Sequence, residues 1–163
     1  MNDRESKGGA IVVSACLLGR PCRFDGRDKF TPELAFLLEG RNVIAVCPEE
    51  LAGLGTPHKS CEISGGDGGD VLDAKARVVS ADGTDQTQAF LNGAHAVLER
   101  AQASGAREAV LKERSPSCGV TSVYRDGTLG AGKGVLTALL VRHGIRVTNE
   151  VRALRHKRSS PKT

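Results

Sequence analysis

Three short apolar runs, at residues 11–15, 43–46 and 109–111, each stop at a turn that carries a cysteine. The first feeds into Cys16. The second feeds into Cys47, where Pro48 ends the strand. The third leads through Lys112 into the turn Ser115-Pro116-Ser117-Cys118-Gly119. Between the first two runs, Thr31-Pro32 marks a helix start, Leu34, Leu37 and Leu38 form an apolar stripe, and Gly40 is the stop. Strand, helix and strand make a βαβ unit, which implies parallel pairing and a right-handed crossover. The fold class that follows is α/β: a single Rossmann-like domain with a mainly parallel sheet layered by helices, and a small hairpin. Ligands bind such sheets at the carboxyl ends of the strands, so three thiols from distant parts of the chain are expected to meet there.

The rest of the chain fits around that frame. Residues 48–70 read as a long, polar, glycine-rich loop holding Glu49, His58, Cys61 and Glu62, and a loop this long inside a compact domain serves a site or is disordered. Val71-Leu72 and Arg77-Val78-Val79 read as a short hairpin. Asp85 and Gln88 resemble a capping box, ahead of a helix with Phe90, Ala94, Val97, Leu98 and Ala101 on one face. Residues 120–124, the turn at Asp126-Gly127 and the return from Thr128 make a hairpin. A last helix spans about residues 134–143, and a final strand follows at 145–148.

At 163 residues the chain is long enough for one domain with a full core. We divide it into a flexible N-terminus (1–10), the domain (11–149) and a basic C-terminal tail (150–163), read as a solvated end. No run approaches the roughly 18 apolar residues of a membrane span, and residues 1–9 lack the apolar core of a signal peptide. A cytoplasmic location and no membrane partner follow as expectations. The net charge of +4 comes wholly from the tail, since residues 1–149 hold 18 Lys or Arg against 18 Asp or Glu. A neutral body with 3% aromatic residues lacks the basic face and stacking rings of a nucleic-acid binder, so no nucleic-acid partner is expected.

Five cysteines is an odd number, and a reducing compartment disfavours disulfides. Thiols held on a sheet edge suit a soft metal. A structural zinc site usually shows close CxxC pairs, which are missing here. A cluster with three protein ligands would keep one iron open as a Lewis acid. Spacing does not rank zinc, cluster and inert buried thiols against one another. Cys22 and Cys61 are spare thiols rather than essential ligands. Glu49 and Glu62 supply carboxylates for acid–base work, Lys112 points into the site or to solvent from a strand end, and His58 is a further proton donor or a plain loop histidine. Residues 127–133 match the start of a phosphate-binding loop, GxxxxGK, but Gly134 stands where a magnesium-holding hydroxyl belongs. We read this stretch as a glycine turn opening a helix whose N-terminus is free for an anion or a polar ring edge.

At these residues the chain resembles a known family. Val13-Ser14-Ala15-Cys16-Leu17-Leu18-Gly19, Cys22-Arg23-Phe24-Asp25-Gly26, Cys47-Pro48-Glu49, Gly53-Leu54, Glu62-Ile63 and residues 112–119 occur in the order of the thiouracil desulfidase (TudS-like) family, formerly a domain of unknown function. Residues 124–128 and 132–135 fit too, so the likeness spans roughly 11–148. It departs at Gly55-Thr56-Pro57-His58, where the family usually reads Pro-Thr-Pro-Arg and an imidazole replaces a guanidinium. Cys61 also stands where a small residue is common. The resemblance implies a [4Fe-4S] cluster as cofactor, carried over to Cys16, Cys47 and Cys118. It also implies an enzyme that removes sulfur from a thiolated pyrimidine such as 2-thiouracil, giving uracil and hydrogen sulfide without net redox, the sulfur being captured by the open iron. In that reading Glu49 or Glu62 activates water, Lys112 protonates or orients the ring, and Ser115 and Ser117 hydrogen-bond the ring edge or the cluster. The alternative is a zinc- or thiol-containing binding protein without desulfidase activity.

Overall fold

The structure is a computed structural model that describes residues 9–158. In chain order its elements are β1 (Ile11–Ser14), a single 3-10 turn (Ala15–Leu18), α1 (Pro32–Leu37), β2 (Val43–Val46), α2 (Pro48–Leu51), β3 (Cys61–Ser64), α3 (Gly68–Leu72), β4 (Arg77–Ser80), α4 (Thr87–Ala103), β5 (Glu108–Leu111), β6 (Ser122–Arg125), β7 (Thr128–Ala131), α5 (Val135–Arg142), β8 (Arg146–Asn149) and α6 (Glu150–Arg158). The first sheet is all parallel, in the order β2-β1-β5-β8. Ser14 lies opposite Val46, Val13 opposite Val110 and Leu111 opposite Asn149, so the four carboxyl ends sit level.

Alternation along β1 splits the core into two layers. Val12, Ala109 and Leu111 pack with Phe90, Ala94 and Val97 of α4 and with Leu136, Leu139 and Leu140 of α5. Ile11, Val13 and Val110 pack on the other side with Leu34 and Leu38, and Ala153 and Leu154 of α6 close over them. Residues 150–158, expected as a solvated tail, are therefore a helix with an apolar stripe on the core. Asn149 starts it by accepting a 2.8 Å bond from the Arg152 amide. Residues 1–8 and 159–163 of the two expected ends lie outside the described residues.

A second sheet, in the order β4-β3-β6-β7, goes beyond the small hairpin read from the sequence. That hairpin is β6–β7, and its turn uses Asp126 (φ 47°) and Gly127 (φ 83°), both in the left-handed region that a two-residue turn demands. The stretch 48–70 is no plain loop. It contains α2 and β3 and leads into α3, and β3 joins β6 in parallel and β4 antiparallel. β3 escapes the periodicity argument because only Ile63 among its four residues is fully buried. Val71 and Leu72 lie in α3 instead of a hairpin. Asp67 nucleates that helix by accepting from the Gly69 and Asp70 amides, while Asp70 returns a bond to the Asp67 amide at 2.9 Å. The expected capping box before α4 is absent: Asp85 accepts from the Thr87 amide, and the capping residue is Gln86, without a side-chain bond.

Candidate metal centre and active-site cleft

A cleft of about 850 Å³ opens at the carboxyl edge of the parallel sheet, and the second sheet faces it. The three thiols carried past β1, β2 and β5 come from three adjacent strands, since β1 lies between the other two. Cys16, Cys47 and Cys118 are 8%, 8% and 5% exposed. All five cysteines line the cleft, together with Glu49, Glu62, Lys112, Ser115 and Ser117. The topology thus brings these ten residues to one place, while His58, the other candidate proton donor, is not among the residues that line the cleft.

The turn that presents Cys118 is held from several sides. Ser115 Oγ accepts from the Ser117 and Cys118 amides at 3.2 and 3.1 Å, and Ser117 Oγ lies 3.7 Å from Cys118 Sγ. Thr137 Oγ1 donates to the Cys118 carbonyl at 2.9 Å. The first amides of α5 also close on this turn: Val135 donates to Pro116 and Leu136 to Ser117, both at 2.9 Å, and the capping Gly134 donates to Gly119 at 2.8 Å. The α5 N-terminus is consequently not free for an anion, which corrects the expectation drawn from the GxxxxGK match. Gly134 is needed for close approach, because a Cβ there would run into the Ser117 carbonyl and the Cys118 amide.

Glu113, which the sequence reading passed over, anchors the same turn. It accepts from the Val120, Thr121 and Ser122 amides at 2.8, 2.9 and 3.0 Å, and from the Asn149 side chain at 2.6 Å. Burial alone would raise its carboxyl, but the bonds from Ser122, Thr121, Asn149 and Val120 outweigh burial and hold it at about 2. Its position beside Lys112 in the motif was the available signal, but nothing in the residue type separates an anchor from a solvated acid.

The thiols repel charge in this setting. Burial, then the neighbouring Cys118 and Cys47, push Cys16 up to about 12, while Arg23 and Lys112 pull it back. Burial also pushes Cys118 up to about 12 against hydrogen bonds from Ser14 and Ser117. Cys47 Sγ donates to the Cys22 carbonyl at 3.5 Å, and its pairing with Cys22 and its burial raise it further. Cys61 lies on β3, where burial brings it to about 11. Three buried thiols lining one cleft are a set that a soft cation would turn into thiolates.

The acids differ in setting. Glu49, in the first turn of α2, is 14% exposed, and its Oε2 lies 3.9 Å from His58 Nε2. Burial raises its carboxyl, and His58 and Arg23 pull the other way. Glu62 on β3 accepts from the Gly127 amide at 3.1 Å. Lys112 Nζ reaches the Glu113 carbonyl at 2.9 Å and Glu150 Oε1 at 3.2 Å, so it points into the protein rather than to solvent. Glu150, counted with the tail in the sequence reading, is therefore part of the cleft wall. Phe24 and Tyr124 also line the cleft and were not singled out.

The profile of the 2-thiouracil desulfurase family matches residues 11–152. The chain belongs to this family. Among related proteins, the uncharacterized protein YbbK of Bacillus subtilis (strain 168) is 40% identical over 144 residues, covering 86% of this chain and 95% of YbbK. Among solved structures, the [4Fe-4S]-dependent thiouracil desulfidase TudS superposes with a TM-score of 0.77 at 40% identity, covering 93% of this chain and 99% of TudS. The desulfurase-family fold is therefore the mixed α/β domain described above. No helix among the described residues is long and apolar enough to cross a membrane.

Proposed function

We propose that this protein is a [4Fe-4S]-dependent desulfidase. It hydrolyses the C=S group of a thiolated pyrimidine such as 2-thiouracil, giving uracil and hydrogen sulfide with no net redox change. The observation that carries this reading is the convergence of Cys16, Cys47 and Cys118, buried, from three adjacent strand ends, in a cleft that also holds a buried carboxylate. Family membership and the likeness to TudS support the cofactor and the substrate class.

The donor set fits the cofactor: three thiols, each raised by burial, gain most from a group that brings positive charge into the cleft. Cys16, Cys47 and Cys118 would hold the cluster, which with three protein ligands supplies one open iron as a Lewis acid for the thione sulfur. The chain's own groups do the rest. Glu49 removes a proton from the attacking water, and its burial, which raises the carboxyl, makes it a stronger base than an exposed acid. Lys112, fixed by Glu150, orients the ring or gives it a proton. Ser115 and Ser117, whose hydroxyls lie 2.9 Å apart, offer hydrogen bonds to the ring edge. Glu62 is the second candidate base. Water adds to the carbon, and its oxygen replaces the departing sulfur.

Anaerobic reconstitution with iron and sulfide, followed by metal analysis and a sulfide-release assay with 2-thiouracil, tests the proposal. About four irons and four sulfides per chain with sulfide release are expected. Stoichiometric zinc without iron would favour the second reading, a metal- or thiol-bearing binding protein. One observation supports it: among the described residues, Cys22, Cys47 and Glu50 place one ligand atom each within 4.8 Å of one another. Arg20 already occupies that Glu50 carboxylate, which leaves this trio the weaker candidate.

A further inference from the structure

Cys22 is a thiol that the desulfidase reading leaves unused, and the fold sets it beside Cys47. Residues 47–50 read Cys-Pro-Glu-Glu. Cys47 caps α2 and Glu50 is the third helical residue, the position from which a side chain reaches back to the cap. Glu49, one residue earlier, lies by His58 instead. Cys22 joins from the loop after the 3-10 turn, where its amide donates to the Arg20 carbonyl at 2.8 Å and its own carbonyl accepts from Cys47 Sγ at 3.5 Å. One ligand atom from each of Cys22, Cys47 and Glu50 then lies within 4.8 Å of the other two, the one such trio of Cys, His, Asp or Glu among the described residues. Cys16, Cys47 and Cys118 do not form so close a set, which suits a four-iron group, whereas a single ion fits the trio. Both thiols of the trio are buried and line the cleft. Arg20 holds Glu50 by Oε1, which leaves Oε2 for a ligand.

We propose that Cys22, Cys47 and Glu50 form a zinc site that fills only while the cluster is absent, and that zinc there blocks cluster loading. Two thiolates and a carboxylate are a zinc donor set, with water completing the tetrahedron. Zinc–sulfur bonds of about 2.3 Å put tetrahedral sulfurs about 3.8 Å apart, so small side-chain rotations close the trio on the ion. A doubly charged ion among three anionic ligands leaves a single negative charge. Arg20 offsets that charge and orients the carboxylate from behind. The inference rests on the desulfidase reading in one respect, that Cys47 is a cluster ligand. One thiol then serves both groups, so zinc and the cluster exclude each other. The cluster, with Cys16 and Cys118 as further anchors, is the resident group, and zinc is a competitor for the empty chain. Removing Cys22 disarms the competitor and leaves the three cluster ligands in place.

The test uses the full chain, freed of metal by chelation under reducing, anaerobic conditions and titrated with zinc against a colorimetric chelator. One zinc per chain is expected, lost in Cys22→Ser and Cys47→Ala and kept in Cys16→Ala and Cys118→Ala. Arg20→Ala should weaken zinc binding about tenfold. Cobalt(II) in place of zinc should give a tetrahedral visible spectrum with a thiolate-to-metal band of two-thiolate intensity. Wild type preloaded with zinc should resist anaerobic reconstitution, its iron content falling as zinc occupancy rises, whereas Cys22→Ser exposed to the same zinc takes up iron normally. No stoichiometric zinc, zinc kept in Cys22→Ser but lost in Cys16→Ala, a three-thiolate cobalt band, or full iron uptake by the zinc-loaded wild type would each overturn the inference. If circular dichroism shows Cys22→Ser unfolded, the cobalt band of the wild type and the zinc affinity of Arg20→Ala decide instead. The desulfidase reading fails by a different result, a cluster-loaded chain that releases no sulfide from 2-thiouracil, and that result leaves the zinc stoichiometry and its ligands as measured.

Discussion

The two walls of the cleft are built from different sheets and differ in almost every physical respect. On the parallel-sheet wall, Cys16, Cys47 and Cys118 are nearly buried, and the Cys118 turn is locked by Glu113, Thr137 and the first amides of α5. On the second-sheet wall, Tyr124 is 47% exposed, Cys61 and Glu62 are half-buried, and Glu62 makes one bond to a hairpin amide. A wall that buries neutral thiols among few cations suits a permanently held group that brings its own charge. An open wall with an aromatic ring suits a molecule that comes and goes.

The most severe way to break this contrast is to remove thiols one wall at a time. Cys16→Ala, Cys47→Ala and Cys118→Ala should each abolish iron binding, read as iron and acid-labile sulfide after anaerobic reconstitution. Cys61→Ala and Cys22→Ala should stay near the wild-type content. Equal loss in Cys61→Ala would erase the distinction between the walls.

The next effects are on stability, and they fall on the locked wall. Glu113→Ala strands the amides of Val120, Thr121 and Ser122, which should cost about 3 kcal/mol in urea unfolding. Gly134→Ala forces a Cβ against Ser117 and should cost about 1–3 kcal/mol. Glu62→Gln, on the open wall, should stay within about 0.5 kcal/mol. Acid adds a signature. Glu113 is held at about 2 in the folded protein, below the ordinary value of about 4.3. Its contribution is complete above that ordinary value and disappears as pH falls through about 2. Glu113→Gln should remove that part of the acid slope of stability.

Glu49 and Glu62 sharpen the comparison further, because both are acids of the same cleft on opposite walls. Glu49→Gln should lower kcat about 100-fold with iron intact, and Glu62→Gln about tenfold or less, judged by sulfide release. Similar losses in both would mean that burial beside the thiols does not select the base.

The locked wall was legible in the sequence and the open one was not, for a physical reason. The strands of the parallel sheet announce themselves as apolar runs, and their carboxyl ends follow from parallel topology, so Cys16, Cys47 and Cys118 could be placed on one edge without coordinates. β3 has one fully buried side chain in four residues, and β7 exposes Thr128 and Leu129, so neither carries a usable period. The family resemblance, not spacing, identified the metal. Glu113 and Glu150 were hidden because an acid's role depends on which amide or ammonium the fold brings to it. The glycines around Lys133 suggested a phosphate loop for the same reason: the pattern shows that backbone must come close, not what it comes close to.

Glu150 allows the smallest test. It belongs to α6, which the basic composition of residues 150–163 made look like solvated chain, yet it pairs with Lys112 at 3.2 Å with the two side chains 14% and 18% exposed. It also accepts from the Glu113 amide at 3.0 Å. Glu150→Gln keeps an acceptor for that amide and removes only the charge opposite Lys112. Stability should fall by about 1 kcal/mol, since the pair is partly solvated. If Lys112 orients the substrate ring, KM should rise while kcat holds, because a loosened ammonium removes binding shared by ground and transition states. A fall in kcat at constant KM would instead make Lys112 a proton donor in the reaction itself, and would assign part of the chemistry to the helix that closes the chain.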